Sequence, residues 1–166
     1  MHGLFILSKE IMVEKNITTK IQVINYTELE ESEKKLVDLA KEATQSSYTP
    51  YSHFNVGAGL LLETGEMIKG SNQENAAFAG ICAERSAIYN AGANHPGVDI
   101  EAIAVAAFQN GDFLEEPCPP CGVCRQAMLE FEKNAKHPIR VLLVGREKIY
   151  RLESVASLLP LSFTEF

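Results

Sequence analysis

Hydrophobic and polar positions along this chain follow two periods, and each period marks an element. From Ile17 to Ile24 apolar and polar residues alternate, which predicts a short strand. Thr27 with Glu30 three residues later predicts a capped helix start, and Leu36, Leu39, Ala40 and Ala43 then fall on one buried stripe. That helix should end near Ser46 and Ser47, because Pro50 disfavours helical geometry at Thr49. Val56 to Leu62 reads as an apolar strand that turns through Glu63, Thr64 and Gly65 into Met67, Ile68 and Lys69. Ser71 to Gly80 is polar and irregular. It leads into a helix predicted from Cys82 to about Asn90 and stopped by Gly92. Ile100 to Phe108 is apolar on both faces, as a central strand must be. After a turn at Asn110 and Gly111, a third helix is expected from Val123 to Lys133. Two strands, Ile139 to Val144 and Lys148 to Leu152, and a last helix from Ser154 to Leu159 ending at Pro160 complete the pattern. Interleaved strands and helices predict an α/β fold of three layers, α/β/α, around a mixed sheet of roughly five strands.

Length and charge narrow the possibilities. A chain of 166 residues is one domain by size and can bury about 70% of its unfolded surface without a staple. The expected division is an N-terminal extension over 1–26 and a catalytic domain over 27–166. Met1 to Asn16, where Met12 offers a second start, is aperiodic and expected to be disordered. A net charge of −7 argues against a nucleic-acid partner, since gripping phosphates needs a basic stripe. Leu4 to Leu7 is too short for a secretory core and runs into Lys9 and Glu10, so neither a signal peptide nor a membrane span is expected.

The four cysteines change the picture most. Three of them, Cys118, Cys121 and Cys124, lie within seven residues, which suits a metal better than two disulfides. A reducing, cytoplasmic setting follows. Cys82 stands 39 residues before Cys121 in the run Cys82-Ala83-Glu84-Arg85, answered by Pro119-Pro120-Cys121-Gly122-Val123-Cys124-Arg125-Gln126. A lone thiolate plus a Cys-x-x-Cys pair makes three sulfur ligands for zinc, and three protein ligands leave the fourth tetrahedral position open, as in catalytic sites. Glu84, two residues after the lone cysteine, is placed to act as general acid and base there. Both cysteine groups sit where helices begin, and the positive end of a helix favours thiolate. Three thiolates make the zinc site anionic, so Arg85 is the candidate to drain charge from the sulfurs. Proline at both positions between Cys118 and Cys121 favours Cys121 and Cys124 as the pair, leaving Cys118 a bystander. His2, His53, His95 and His137 lack ligand spacing.

The ligand-x-Glu and later Pro-Cys-x-x-Cys pattern is that of zinc deaminases. Together with Tyr51-Ser52-His53-Phe54-Asn55-Val56-Gly57-Ala58, Gly70-Ser71-Asn72-Gln73-Glu74-Asn75-Ala76 and Leu158-Leu159-Pro160-Leu161-Ser162-Phe163, it makes the chain resemble the small, three-cysteine cytidine deaminases from about Leu36 to Phe163. The resemblance implies one Zn²⁺ per subunit and a homotetramer with sites shared across subunits. It implies hydrolytic deamination of cytidine and 2′-deoxycytidine in pyrimidine salvage. Asn72 and Glu74 would clamp the ribose 3′-hydroxyl, and Glu74 would repel a 3′-phosphate, favouring a free nucleoside over a strand. Phe54 would lie against the pyrimidine, Ala83 would offer its backbone N–H to the base O2, and Phe163 would reach a neighbouring subunit's site.

Other readings stay open from sequence. A related cytosine compound such as blasticidin S could be the substrate. All four cysteines could close a structural zinc site, or Cys121 and Cys124 could be a redox dithiol.

Overall fold

The structure, a computed structural model, describes residues 13–135 and 137–164. The expectations for Met1 to Met12 lie outside the described residues. Among the described residues seven strands form one mixed sheet: β1 (Gln22–Asn25), β2 (Asn55–Leu62), β3 (Met67–Ser71), β4 (Ile100–Gln109), β5 (Asp112–Phe113), β6 (Arg140–Val144) and β7 (Lys148–Leu152). Their order is β1-β7-β6-β4-β2-β3, with β5 paired to β4. β4 and β6 run parallel, and the other pairs are antiparallel. Among the same residues three α-helices cover the sheet: α1 (Glu31–Ala43), α2 (Ala83–Asn94) and α3 (Gly122–Ala135).

The alternation along β4 explains why there are three layers. Ile103 and Val105 join Ala87 and Ile88 of α2 and Met128 and Leu129 of α3 in one core cluster. Ala102, Ala104 and Ala106 join Leu36, Val37 and Ala40 of α1 in the other. A strand apolar on both faces must be covered on both, and burying each large aliphatic side chain contributes about 1.5–3 kcal/mol. Small residues pave the α1 side, and a Cβ added at Gly57 would sit only 2.1 Å from the Ala40 carbonyl oxygen.

Three layers and the mixed sheet are as expected; the sheet is wider, and some boundaries differ for local reasons. β1 is shorter than the alternation suggested, and Thr19 instead donates its hydroxyl to the Ser157 carbonyl at 3.0 Å. Thr27 does not cap α1. It lies in a 3-10 turn over Tyr26–Glu28, and the helix starts from Glu30, whose backbone N–H donates to the Glu33 carboxylate at 3.2 Å. Glu33 is buried because Arg140 also reaches it, at 3.2 Å. Gly92 does not end α2, which continues to Asn94. A glycine inside a helix costs about 1 kcal/mol relative to alanine, and it is tolerated here where Phe131 of α3 packs against it, 3.4 Å from where a Cβ would be. The expected last helix is a 3-10 turn, Val155–Leu158, capped by the Ser154 hydroxyl, which accepts from the Ala156 N–H.

Candidate metal centre

Two helix starts converge on one point. Cys82 is the N-cap of α2, Cys121 directly precedes α3, and Cys124 lies in the first turn of α3. Gly70 in β3 allows this approach, since α2 lies so close that a Cβ would come 2.5 Å from the Ala87 nitrogen. Among the described residues Cys82, Cys121 and Cys124 form a possible metal-holding group, their sulfurs all within 4.8 Å of one another. Cys82 and Cys121 are 3.9 Å apart, Cys121 and Cys124 3.4 Å. Tetrahedral zinc with sulfur at about 2.3 Å needs sulfur pairs about 3.8 Å apart, so the triangle has the right size. Cys118 stands outside the group, its sulfur directed to the Pro119 carbonyl at 3.9 Å.

Electrostatics make the same point. Burial pushes the Cys124 thiol well up from its ordinary value, and the neighbouring Glu84 carboxylate adds to this. Burial also opposes ionisation of Cys121, but hydrogen bonds from the Cys124 backbone and from the adjoining thiols outweigh it and bring that thiol below its ordinary value. Three thiolates this close would repel one another, and a bound cation would offset that repulsion. The Arg85 guanidinium donates to the Cys82 sulfur at 3.6 Å, and its pKa is raised by Cys82 first and by Cys124 as well.

Glu84 lies in the first turn of α2 and is only 4% exposed. Desolvation raises its carboxyl pKa, opposed by its own backbone N–H, by Cys124 and by Arg85. Near a helix start the carboxylate therefore shares the environment of the sulfurs although it is two residues from Cys82. Ala83, fully buried, fills the position between them.

A cleft of about 620 Å³ opens onto the cluster, lined by Tyr51, Asn72, Glu74, Phe78, Cys82 and Arg85 among others. The segment after β3 is held as its wall by pairing of Gln73 with Tyr48 and Ile81. Asn72 uses its amide on the backbone: Oδ1 accepts from the Val56 N–H at 2.8 Å and Nδ2 donates to the Phe54 carbonyl at 2.9 Å. Glu74 accepts from the Tyr51 and Ser52 N–H groups at 2.9 and 3.3 Å, both on Oε2. The Ser52 hydroxyl, which also bonds this carboxylate, and after it the Tyr51 N–H hold the Glu74 carboxyl below the ordinary range. Phe54 and Phe163 are not among the cleft's lining residues. Phe54 is half-buried beside Asn72; Phe163 is 66% exposed, and its carbonyl accepts from Gln126 at 2.7 Å.

Sequence reasoning gave no role to the backbone amides of Tyr51 and Ser52 or to the Arg125 side chain. The amides carry no side-chain signal. Arg125 sits inside the quoted motif, but its partners Pro120 and Leu158 are visible only in three dimensions.

The chain is similar to known proteins over most of its length. Residues 30–137 match the family model described as the cytidine and deoxycytidylate deaminase zinc-binding region. The chain is 38% identical over 130 residues to a cytidine deaminase of Halalkalibacterium halodurans, covering 78% of this chain and 92% of that one. It is 40% identical over 133 residues to one of Sporosarcina psychrophila, covering 79% and 90%. A crystal structure of cytidine deaminase from Burkholderia pseudomallei superposes with a TM-score of 0.64 at 38% identity, covering 78% of this chain and 97% of that one. One from Mycobacterium tuberculosis gives 0.62 at 29% identity, covering 79% and 96%.

Proposed function

The chain belongs to the cytidine and deoxycytidylate deaminase family, and from that membership we propose that it hydrolyses cytidine and 2′-deoxycytidine to uridine and 2′-deoxyuridine with release of ammonia, in pyrimidine salvage. The observation that carries this reading is the joint placement of three sulfurs within 4.8 Å and of a buried carboxylate, Glu84, in the helix turn that Cys82 caps. Cys82, Cys121 and Cys124 would hold one Zn²⁺ per subunit, which supplies a Lewis acid that activates water for attack on C4 of the pyrimidine.

The remaining work falls to the chain itself. Glu84 takes a proton from the attacking water and passes protons to ring N3 and to the departing amine, so that ammonia leaves and a carbonyl forms at C4. Burial, by raising its carboxyl pKa, suits it to carrying a proton between these steps. Arg85 withdraws charge from the sulfurs. Asn72 and Glu74 meet the ribose hydroxyl; Asn72 keeps its second Nδ2 proton for this, and a carboxylate offers about four acceptor sites, more than Tyr51 and Ser52 use. Phe54 lies against the base, the Ala83 N–H meets O2, and Phe163 reaches the site of a neighbouring subunit in a homotetramer. A carboxylate facing the ribose and a net charge of −7 favour a free nucleoside over nucleic acid. Reduced cysteines suit a cytoplasmic setting.

A closed four-sulfur structural site is disfavoured because Cys118 stands outside the group. The test is metal content together with the absorbance change of cytidine on adding purified protein, with ammonia release from blasticidin S measured alongside. One zinc per chain with loss of cytidine supports the reading. Zinc without turnover of either compound overturns it.

A further inference from the structure

The two arginines that follow the cysteine groups do different things. Arg85 points at sulfur. Arg125, adjacent to Cys124, points away: its Nε donates to the Pro120 carbonyl at 2.8 Å and its Nη1 to the Leu158 carbonyl at 2.8 Å. One planar group thus joins the residue just before Cys121 to the end of the 3-10 turn Val155–Leu158, 33 residues further on.

That turn is a firm anchor. Two helical turns along α3 from Arg125, the buried carboxylate of Glu132 accepts from the Val155 N–H at 2.7 Å and the Ala156 N–H at 3.1 Å. It also accepts from the Ser154 hydroxyl at 2.8 Å and from the Ile139 N–H at 2.8 Å. Residues seven apart lie on one face of a helix. That face of α3 therefore grips the turn at both ends, a carboxylate on its donors and a guanidinium on its last carbonyl. The Pro119-Pro120 segment lacks backbone N–H groups with which to tie itself down, so Arg125 supplies the bond from outside.

We propose that Arg125 is a positioning residue for the metal loop, setting the Cys121 sulfur against Cys82 and Cys124 through Pro120 and Leu158. The inference rests on the reading of the three cysteines as metal ligands. It differs from charge withdrawal by Arg85 in its consequence: loss of Arg125 misplaces a ligand without touching the ribose side of the cleft.

The experiment compares wild type, Arg125→Ala and Leu129→Ala, the last a buried α3 residue that lowers stability without these bonds. Zinc release to a chromophoric chelator and the absorption bands of the cobalt(II)-substituted full chain are measured with kcat and KM. Arg125→Ala is expected to lose zinc about 10- to 100-fold faster, with altered cobalt ligand-field bands and a lower kcat at unchanged KM. Added guanidinium ion at non-denaturing concentration should restore the bands of Arg125→Ala and not affect Leu129→Ala. A wild-type cobalt spectrum and release rate in Arg125→Ala overturn the proposal, as does Leu129→Ala reproducing the effect at equal loss of Tm. Should the alanine variant not fold, Arg125→Lys is read instead. Its point-like ammonium lacks the guanidinium fork, so it should release zinc faster than wild type, and a wild-type rate overturns the proposal. A wild-type chain that takes up neither zinc nor cobalt refutes the metal reading itself, a separate outcome.

Discussion

Replacing Gly70 by alanine should disable the site from the far side of α2. The added Cβ would meet the Ala87 nitrogen at 2.5 Å, the Ala83 carbonyl oxygen at 2.6 Å and the Ala87 Cα at 2.9 Å. All three are backbone atoms, so no rotamer change relieves the clash. Ordinary contact begins at 3.4 Å, and the difference from 2.5 Å means that helix and strand must separate by 0.9 Å or distort by as much. The turn that moves lies between Ala83 and Ala87 and carries Glu84, with Cys82 immediately before it. Metal ligands tolerate displacements of about 0.2 Å, and a misplacement of about 1 Å at a reacting centre costs about 100-fold in rate. Overpacking of this kind costs about 1–3 kcal/mol, which for a chain of this length lowers Tm by about 2–12 °C. Thermal unfolding, metal analysis and steady-state deamination of cytidine on Gly70→Ala and Gly65→Ala form the assay. Gly65 has φ +82 in the β2–β3 turn with nothing within 4 Å of a Cβ. Its replacement costs about 1–2 kcal/mol of left-handed backbone strain and should leave kcat alone. A Gly70→Ala enzyme with a full complement of zinc and undiminished kcat would refute the reasoning that the β3–α2 contact sets the position of the catalytic turn.

Further outcomes are expected. Glu84→Gln should retain zinc and lose about 100- to 10,000-fold in kcat, checked by metal analysis and cytidine turnover on the same preparation. Cys118→Ser should keep its zinc whereas Cys121→Ser loses it; equal loss from both would point to a closed four-sulfur site. Glu132→Ala should be destabilised by about 2 kcal/mol or more, because the Ile139 and Val155 N–H groups lose their acceptor while the Ala156 N–H keeps the Ser154 hydroxyl, and denaturant unfolding measures this. Removing zinc with a chelator should abolish turnover, and adding zinc back should restore it.

Much of the fold and site was legible because the signals were local. The period of apolar positions marks α1 and β2, and the run of residues apolar on both faces marks β4 as central, since a strand covered on both sides can carry no polar face. Cysteine spacing grouped Cys82 with Cys121 and Cys124, because helix starts and a Cys-x-x-Cys turn leave ligands few places to go. Boundaries that depend on distant partners were not legible: Gly92 stays helical where Phe131 lies against it, and a reciprocal capping box between Glu30 and Glu33 starts α1, the burial of Glu33 supported by Arg140 from 107 residues away. Tertiary structure alone decided that the Asn72 amide holds the backbone of Phe54 and Val56, and that Arg125 reaches Leu158. Residue types and spacing specify which chemistry a chain can assemble; which donor meets which acceptor across 16 or 33 residues is set only when the layers pack and buried polar groups must find partners.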